Sequence, residues 1–371
     1  MAVDSSTLGA RIRDARDRAG LTQAELATAT SLDRSSLAKI ESGARRVSAL
    51  ELARIADAVG ARIEWFLEEV APAILSHRNR EEPGAASPAI DALLERLARN
   101  VEFLQLHGNL PLADLDVIER PATDADADEA AARARSLLGL DEHEPVLDLD
   151  SASPAAGLLL FSIELGSDTA DAASIALRSG GLAVVNGSQQ VGRRRLAAAH
   201  ELGHHLFADE YTIDWRVTAG IDAAPWEARV DRFARALLLP HLGVERTWRQ
   251  LVDSSDALRV AAVRMASLFR VDMATLSRRL GELGLVTAGE SRTIRQVSTT
   301  RADIIDYNLV PRDELASPTL PKPYIKAVLD LYRSDVIAAA RAIDLLLDTW
   351  AEEDLPVPPQ LSAEAVWGFV S

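Results

Sequence analysis

The stretch from Leu196 to Phe207, LAAAHELGHHLF, carries the residues best suited to chemistry in this chain. Positions four apart in a helix share one face, a turn from each other, so His200 and His204 can offer two imidazole nitrogens to one ion. Glu201 directly follows the first of them, where its carboxylate can reach a water on that ion. Two neutral nitrogen donors beside a general base form the HExxH arrangement, which suits metal-assisted hydrolysis.

Two ligands leave such a site incomplete, because a catalytic zinc has three protein ligands and one open position. The helix expected over 226–239, WEARVDRFARALLL, stops at Pro240 and turns Val230, Phe233, Ala234, Leu237 and Leu238 inward. Glu227 at its start can close the ligand set. Asp231, one turn further on, can receive the free N–H of a ligand histidine. His205 faces about 100° away from His204 on an ideal helix and is expected to pack rather than ligate. His77, His107, His143 and His241 sit in no motif and are expected to be structural or exposed. Tyr211 and His241 could each donate to a developing oxyanion, though neither has a motif around it.

These side chains need a platform. Strand-like runs at 157–163, 173–179 and 181–187, the last two separated by a Gly180–Gly181 turn signal, predict a small antiparallel sheet leading into the HELGH helix. A helix is expected over 127–138, with the DADADE run at its start read as a solvated acidic stretch. Ile90, Leu94, Leu97, Val101 and Leu104 form a heptad-like seam too short for a coiled coil, which should pack on the following domain. Residues 76–88, SHRNREEPGAASP, read as a linker. At the other end, 259–286 predicts two helices around a turn, built on Val263, Leu268, Val271, Leu276 and Leu280, with Arg278 and Arg279 tempting as a second DNA reader. A proline-rich connector over 309–323 should lead to helices at 324–334 and 335–350 and a mostly extended tail.

The N-terminal segment has a different chemistry. Residues 8–50 hold eight Arg or Lys against five Asp or Glu, whereas 71–150 hold seven against seventeen. Thr22 with Glu25 makes a capping box, Leu26 and Ala27 point inward, and Thr30 to Leu32 form a short turn. Asp33 can cap a second helix whose inward positions are Leu37 and Ile40. That leaves Arg34, Ser35, Ser36 and Lys39 outward, with Gln23 at the start of the preceding helix and Arg45 and Arg46 beyond. Such residues read base edges in a major groove or meet phosphates.

TQAELA, the helix ending KIESG and the helix after it resemble the lambda-repressor-like (XRE-type) helix-turn-helix domain, over residues 8 to about 69. The resemblance implies binding to a double-stranded DNA operator, as a homodimer on two half-sites. HELGH, the arginine run Arg193 to Arg195 before it, and the later E-x-x-x-D-x-F-A-x-x-L-L-x-P pattern resemble the ImmA/IrrE family of zinc metallopeptidases, over roughly 110–285. That resemblance implies zinc held by His200, His204 and Glu227, Glu201 as catalytic base, and a protein substrate of the helix-turn-helix repressor type. This chain departs from the family at Leu196 and Ala197, where an aromatic and a threonine are usual, and at Val230, where a small residue is usual.

The chain of 371 residues is thus expected to be mainly α with a small antiparallel β-sheet (α+β). Its expected parts are an all-α helix-turn-helix domain over 1–70, a linker and connecting helix over 71–110, a zincin-like metallopeptidase domain over 111–290 and a mostly helical region over 291–371. There is no cysteine, hence no disulfide, thiolate ligand or Cys nucleophile. No apolar run is long enough for a membrane span, and the first residues lack a signal-peptide layout; a cytoplasmic protein is expected. Net charge is −16, so any nucleic-acid contact must be local to the N-terminal segment. The reading is a DNA-binding transcription regulator with a zinc-dependent peptidase acting in a stress or mobile-element response. The alternative is a non-proteolytic repressor whose metal domain senses zinc or a ligand.

Overall fold

The computed structural model describes residues 5–18, 21–59, 66, 74–78, 88–113, 116–166, 170–208, 223–253 and 257–357. The chain divides into two compact units, Met1–Ala73 and Ile74–Ser371.

The first unit packs α1 (Ser5–Arg18), α2 (Gln23–Thr30), α3 (Arg34–Glu41) and α4 (Ala49–Val59) around Ile12, Leu26, Leu37, Ile40, Ile55 and Phe66. Local chemistry sets each boundary. Thr22 and Glu25 form the expected capping box on α2, and Ser31 ends that helix in the left-handed region at φ 58°. Asp33 accepts from the Ser36 N–H and starts α3 two residues later. Ser48 and Glu51 cap α4 reciprocally. Thus the α2–turn–α3 pair has its angle fixed by two caps and a core shared by Leu26, Leu37 and Ile40.

The second unit holds a four-stranded sheet of β1 (Ile74–Arg78), β2 (Leu158–Ile163), β3 (Ala172–Ala176) and β4 (Gly181–Asn186) in the order β1-β3-β4-β2. The sheet is mixed rather than antiparallel throughout. β1–β3 and β3–β4 run antiparallel, but β2 and β4 run parallel. The hairpin turned at Gly180 (φ 74°) brings β4 back between β3 and β2, so β4 must point the same way as β2. β1 also shows that residues 76–78 of the expected linker are extended and paired; residues 79–87 lie outside the described residues.

One face of the sheet carries α7 (Val191–Leu206), whose Ala197, Ala198 and Ala199 are fully buried or nearly so. Short side chains let the helix approach closely. Behind it lies α8 (Ala223–Leu238), which packs on α7 and on α6 (Asp124–Leu137) through Val230, Phe233, Ala234, Leu237 and Leu238, the stripe expected from its sequence. Gly203 sits at the α7–α8 crossing, where an added Cβ would lie 2.9 Å from Phe233 Cδ1 and 3.1 Å from Val230 Cγ1. The long helix α5 (Pro88–His107) buries its whole predicted seam against β3, β4 and the later helix α14 (Lys322–Arg333).

Between them come α9 (His241–Asp253), α10 (Leu258–Phe269), α11 (Met273–Glu282), α12 (Ala288–Arg295) and α13 (Arg301–Asp306), and α15 (Ala339–Leu345) follows. Val263, Val271, Leu276 and Leu280 are buried as expected, but Leu268 is not. It lies on the outer side of α10, where Ala266 and Phe269 supply the inward contacts. Among the described residues no helix is long and apolar enough to cross a membrane.

Candidate metal centre

His200, Glu201 and His204 lie in the C-terminal half of α7, and Glu227 and Asp231 lie one turn apart near the start and the middle of α8. The two helices bring three donor atoms together. His200 Nε2 is 3.0 Å from His204 Nε2 and 3.3 Å from Glu227 Oε2, and His204 Nε2 is 3.5 Å from the same carboxylate oxygen. A tetrahedral zinc with bonds of about 2.0–2.1 Å separates its ligand atoms by about 3.3–3.4 Å. The triangle therefore has the right size for one small cation.

The tautomers fit as well. Asp231 Oδ1 lies 3.0 Å from His200 Nδ1, and a carboxylate can only accept, so the ring hydrogen is at Nδ1. Nε2 of His200 is then a bare lone pair facing an acceptor oxygen. Burial alone would raise the Glu227 carboxyl, whereas positive charge or a donated N–H at the two imidazoles lowers it below the ordinary carboxylate range. Positive charge is favoured at this spot, which is what a divalent ion supplies. His200, His204 and Glu227 form the single such donor cluster among the described residues.

Glu201 is completely buried. Its Oε2 accepts from the Ser174 hydroxyl at 2.6 Å, while its Oε1, also shut off from solvent, has no hydrogen-bond partner. A buried carboxylate oxygen with no donor is costly, and beside a set of metal donors it is the place where a water's proton can go. An aromatic group links the end of α7 to α8: the Phe207 ring packs at 5.0 Å from Phe233 and 5.5 Å from Trp226, and the Arg120 guanidinium lies 5.4 Å from the Trp226 ring.

Residues 7–64 match the family model of a helix-turn-helix domain, and residues 156–281 match that of a peptidase family, the IrrE N-terminal-like domain. The chain joins a helix-turn-helix domain to an IrrE N-terminal-like domain. The second match spans the HELGH helix, Glu227 and Asp231. No curated protein matches the chain.

In the second unit, the remaining sequence expectations resolve as follows. His205 points away from the donor cluster: its Nε2 lies 2.9 Å from the Ala156 carbonyl and its ring abuts Gly181. Burial lowers its pKa, only partly offset by that carbonyl, so it stays neutral. His107 packs against Phe103 at 4.9 Å with the rings tilted by 47°, and His241 is exposed at the start of α9, beside Glu245. Tyr211 and residue 77's side chain lie outside what is described. The acidic run at 124–129 is more than a solvated stretch, since Asp126 caps α6 and Asp128 takes Arg232 at 2.7 Å and Arg279 at 2.6 Å. Arg279 is thereby buried, with its Nε on the Leu239 carbonyl, and is unavailable to DNA; Arg278 instead leans on Glu282.

Two features of the site escape reading from sequence. Ser174 is one, although a lone hydroxyl in the otherwise apolar strand AASIA is a signal of sorts. The other is the anchorage of α7. Arg193 pairs with Asp171 at 2.8 Å, Arg194 bonds Asp313 and the Glu314 carbonyl, and the fully buried Arg195 bonds Glu314 and the Val146 carbonyl. Glu314 stands 119 residues away from its arginine, and no local pattern marks it.

In the helix-turn-helix domain, Arg34, Ser35 and Lys39 are exposed on α3 and Ser36 is half-buried. The Ser35 hydroxyl donates to Asp33 at 2.6 Å, which with Ser36 holds the Asp33 carboxyl low. Gln23 donates to Glu41 at 2.7 Å, and Glu41 in turn takes the buried Arg16. Arg45 bonds Glu51 at 2.7 Å, while Arg46 is exposed. Arg34, Lys39 and Arg46 thus present their charges outward, whereas Gln23 and Arg45 are also tied into the fold.

Proposed function

We propose that this chain is a transcription regulator that binds a double-stranded DNA operator through α3 and cuts a regulatory protein, of the helix-turn-helix repressor type, at the metal centre. The observation that carries the reading is Glu201. A centre that only stored or sensed zinc would need His200, His204 and Glu227, but not a fully buried carboxylate with one partnerless oxygen next to them. Zinc, when bound by those three residues, supplies a Lewis acid that polarises a peptide carbonyl and acidifies water. Asp231 fixes the tautomer and orientation of His200. Glu201 takes the proton of the attacking water and returns it to the leaving amine.

Arg34, Ser35, Ser36 and Lys39 read the operator, with Gln23, Arg45 and Arg46 at its phosphates. We infer a homodimer on half-sites one helical turn apart, by analogy with such domains, in a chain working in the cytoplasm. The functional parts follow the divisions 1–70, 71–110, 111–290 and 291–371.

The test is to incubate the zinc-loaded chain with candidate helix-turn-helix regulators and look for one discrete cut. The expected result is a cut made by the wild type and missing with Glu201→Gln. Uncut regulators, together with a reporter response to Glu201→Gln equal to wild type, would replace this reading with a non-proteolytic zinc or ligand sensor.

A further inference from the structure

Ser174 occupies the middle of β3, a strand whose neighbours Ala173 and Ile175 are buried. It is itself only 7% exposed. A hydroxyl in such a place needs a partner, and the partner it has is the Oε2 of Glu201, 2.6 Å away and 27 residues later in the chain. The bond is short and charge-assisted, and it crosses from the sheet to the helix that carries two of the three metal donors. Its counterpart oxygen, Oε1, is left without a donor. The two oxygens of one carboxylate are therefore treated differently by the fold.

We propose that Ser174 is a positioning residue for Glu201: its hydroxyl pins Oε2 to the sheet, so that Oε1 alone faces the substrate water and the carboxylate cannot swing onto the metal. A neutral donor suits the task. Lys or Arg in its place would neutralise the base, and a backbone N–H is committed to the β3–β4 and β1–β3 ladders. Without the hydroxyl, Glu201 becomes a buried anion with no donor on either oxygen, beside three groups that hold a dication. Its lowest-energy course is then to become a fourth protein ligand, closing the open position the reaction needs. The proposal rests on the peptidase reading for its effect on rate, but not for its structural consequence.

The test uses the full chain as Ser174→Ala, Ser174→Val and Ser174→Thr, with zinc and with Co2+ in its place. Thr keeps the hydroxyl, and Val has the shape of Thr without it. With the fourth position open, Co2+ holds a water whose ionisation makes the visible spectrum change with pH, and a carboxylate in that position removes the change. Ala and Val should give a Co2+ spectrum that no longer changes with pH, with metal content unchanged, and Thr should match wild type. Against the regulator cut by the wild type, Ala and Val should lower kcat on the order of 10²-fold with KM little changed, and Thr should restore it. A wild-type Co2+ spectrum in Ser174→Ala, or Val behaving as Thr does, would overturn the proposal. If no regulator is cut even by wild type, the peptidase reading fails, and the Co2+ spectra still decide whether Ser174 holds Glu201 off the metal.

Discussion

At the scale of single residues, the metal centre is a set of acceptors arranged to need a cation. Replacing Glu227 by Ala removes one of three candidate donors and leaves His200 and His204 alone, so metal analysis should find about one zinc per chain in wild type and its loss in the variant. Full occupancy in that variant would exclude Glu227 as a ligand. Asp231→Ala should act more mildly: the His200 Nδ1 hydrogen loses its acceptor at 3.0 Å, and zinc affinity should fall about 10–100-fold in a competition titration with a chelator. Unchanged affinity would mean that Asp231 only fills space. His200, Glu201, His204, Glu227 and Asp231 are legible in sequence because each pair lies within one helix, where spacing fixes the face. Ser174 and Glu314 are not, because the partner of each comes from another element and no period links them.

At the scale of elements, α7 is held by charged groups that the chain hides from water. Arg195 is fully buried, and burial, reinforced by neighbouring Arg270, pushes its pKa down to about 9. Glu314 is its partner and also accepts from the Leu149 N–H at 2.7 Å. Glu314→Ala would strand the guanidinium, and breaking such a buried pair costs about 3–5 kcal/mol. Urea denaturation should register that loss; a change under 1 kcal/mol, on the order of a surface pair, would show that the pair is already solvated. Close by, burial and then Asp148 push the Asp150 carboxyl up to about 6, with Lys322 opposing them, and its Oδ1 has no partner. Because the folded value lies above the unfolded one, folding is penalised once the unfolded chain ionises, and the penalty grows until pH passes the folded value. Asp150→Asn should therefore raise stability at pH 7 by on the order of 2 kcal/mol, a gain that fades as pH falls from about 6 toward 4. A gain independent of pH would discount ionisation as its cause. The strands β2, β3 and β4 were readable from their pattern, but β1, which falls partly in the expected linker, and the order β1-β3-β4-β2 were not, since alternation marks a strand without naming its neighbour.

At the scale of the whole molecule, the helix-turn-helix domain and the candidate metal centre lie in units with separate hydrophobic cores, one around Ile12 and Leu37 and the other around α7 and α8. A chain with net charge −16 repels DNA on average, so operator binding has to come from the outward charges of α3 and its surroundings. Arg34→Ala and Lys39→Ala each remove one exposed cation while leaving Leu37 and Ile40 in the core. Each should cost about 1–3 kcal/mol of operator affinity. Zinc content should stay at the wild-type level, because the candidate donors His200, His204 and Glu227 all lie in the second unit. Glu201→Gln is the mirror image. Gln keeps the length of the side chain but cannot accept a proton, and general base catalysis is worth typically ~10²–10⁴-fold in rate. That variant should bind zinc and operator as wild type does, yet cut nothing and leave the reporter unresponsive. Gel shifts, metal analysis and reporter output on the same three variants give a pattern that one-domain explanations do not reproduce. If Arg34→Ala and Lys39→Ala both bind the operator like wild type, α3 is not the reading helix, whatever the metal centre does.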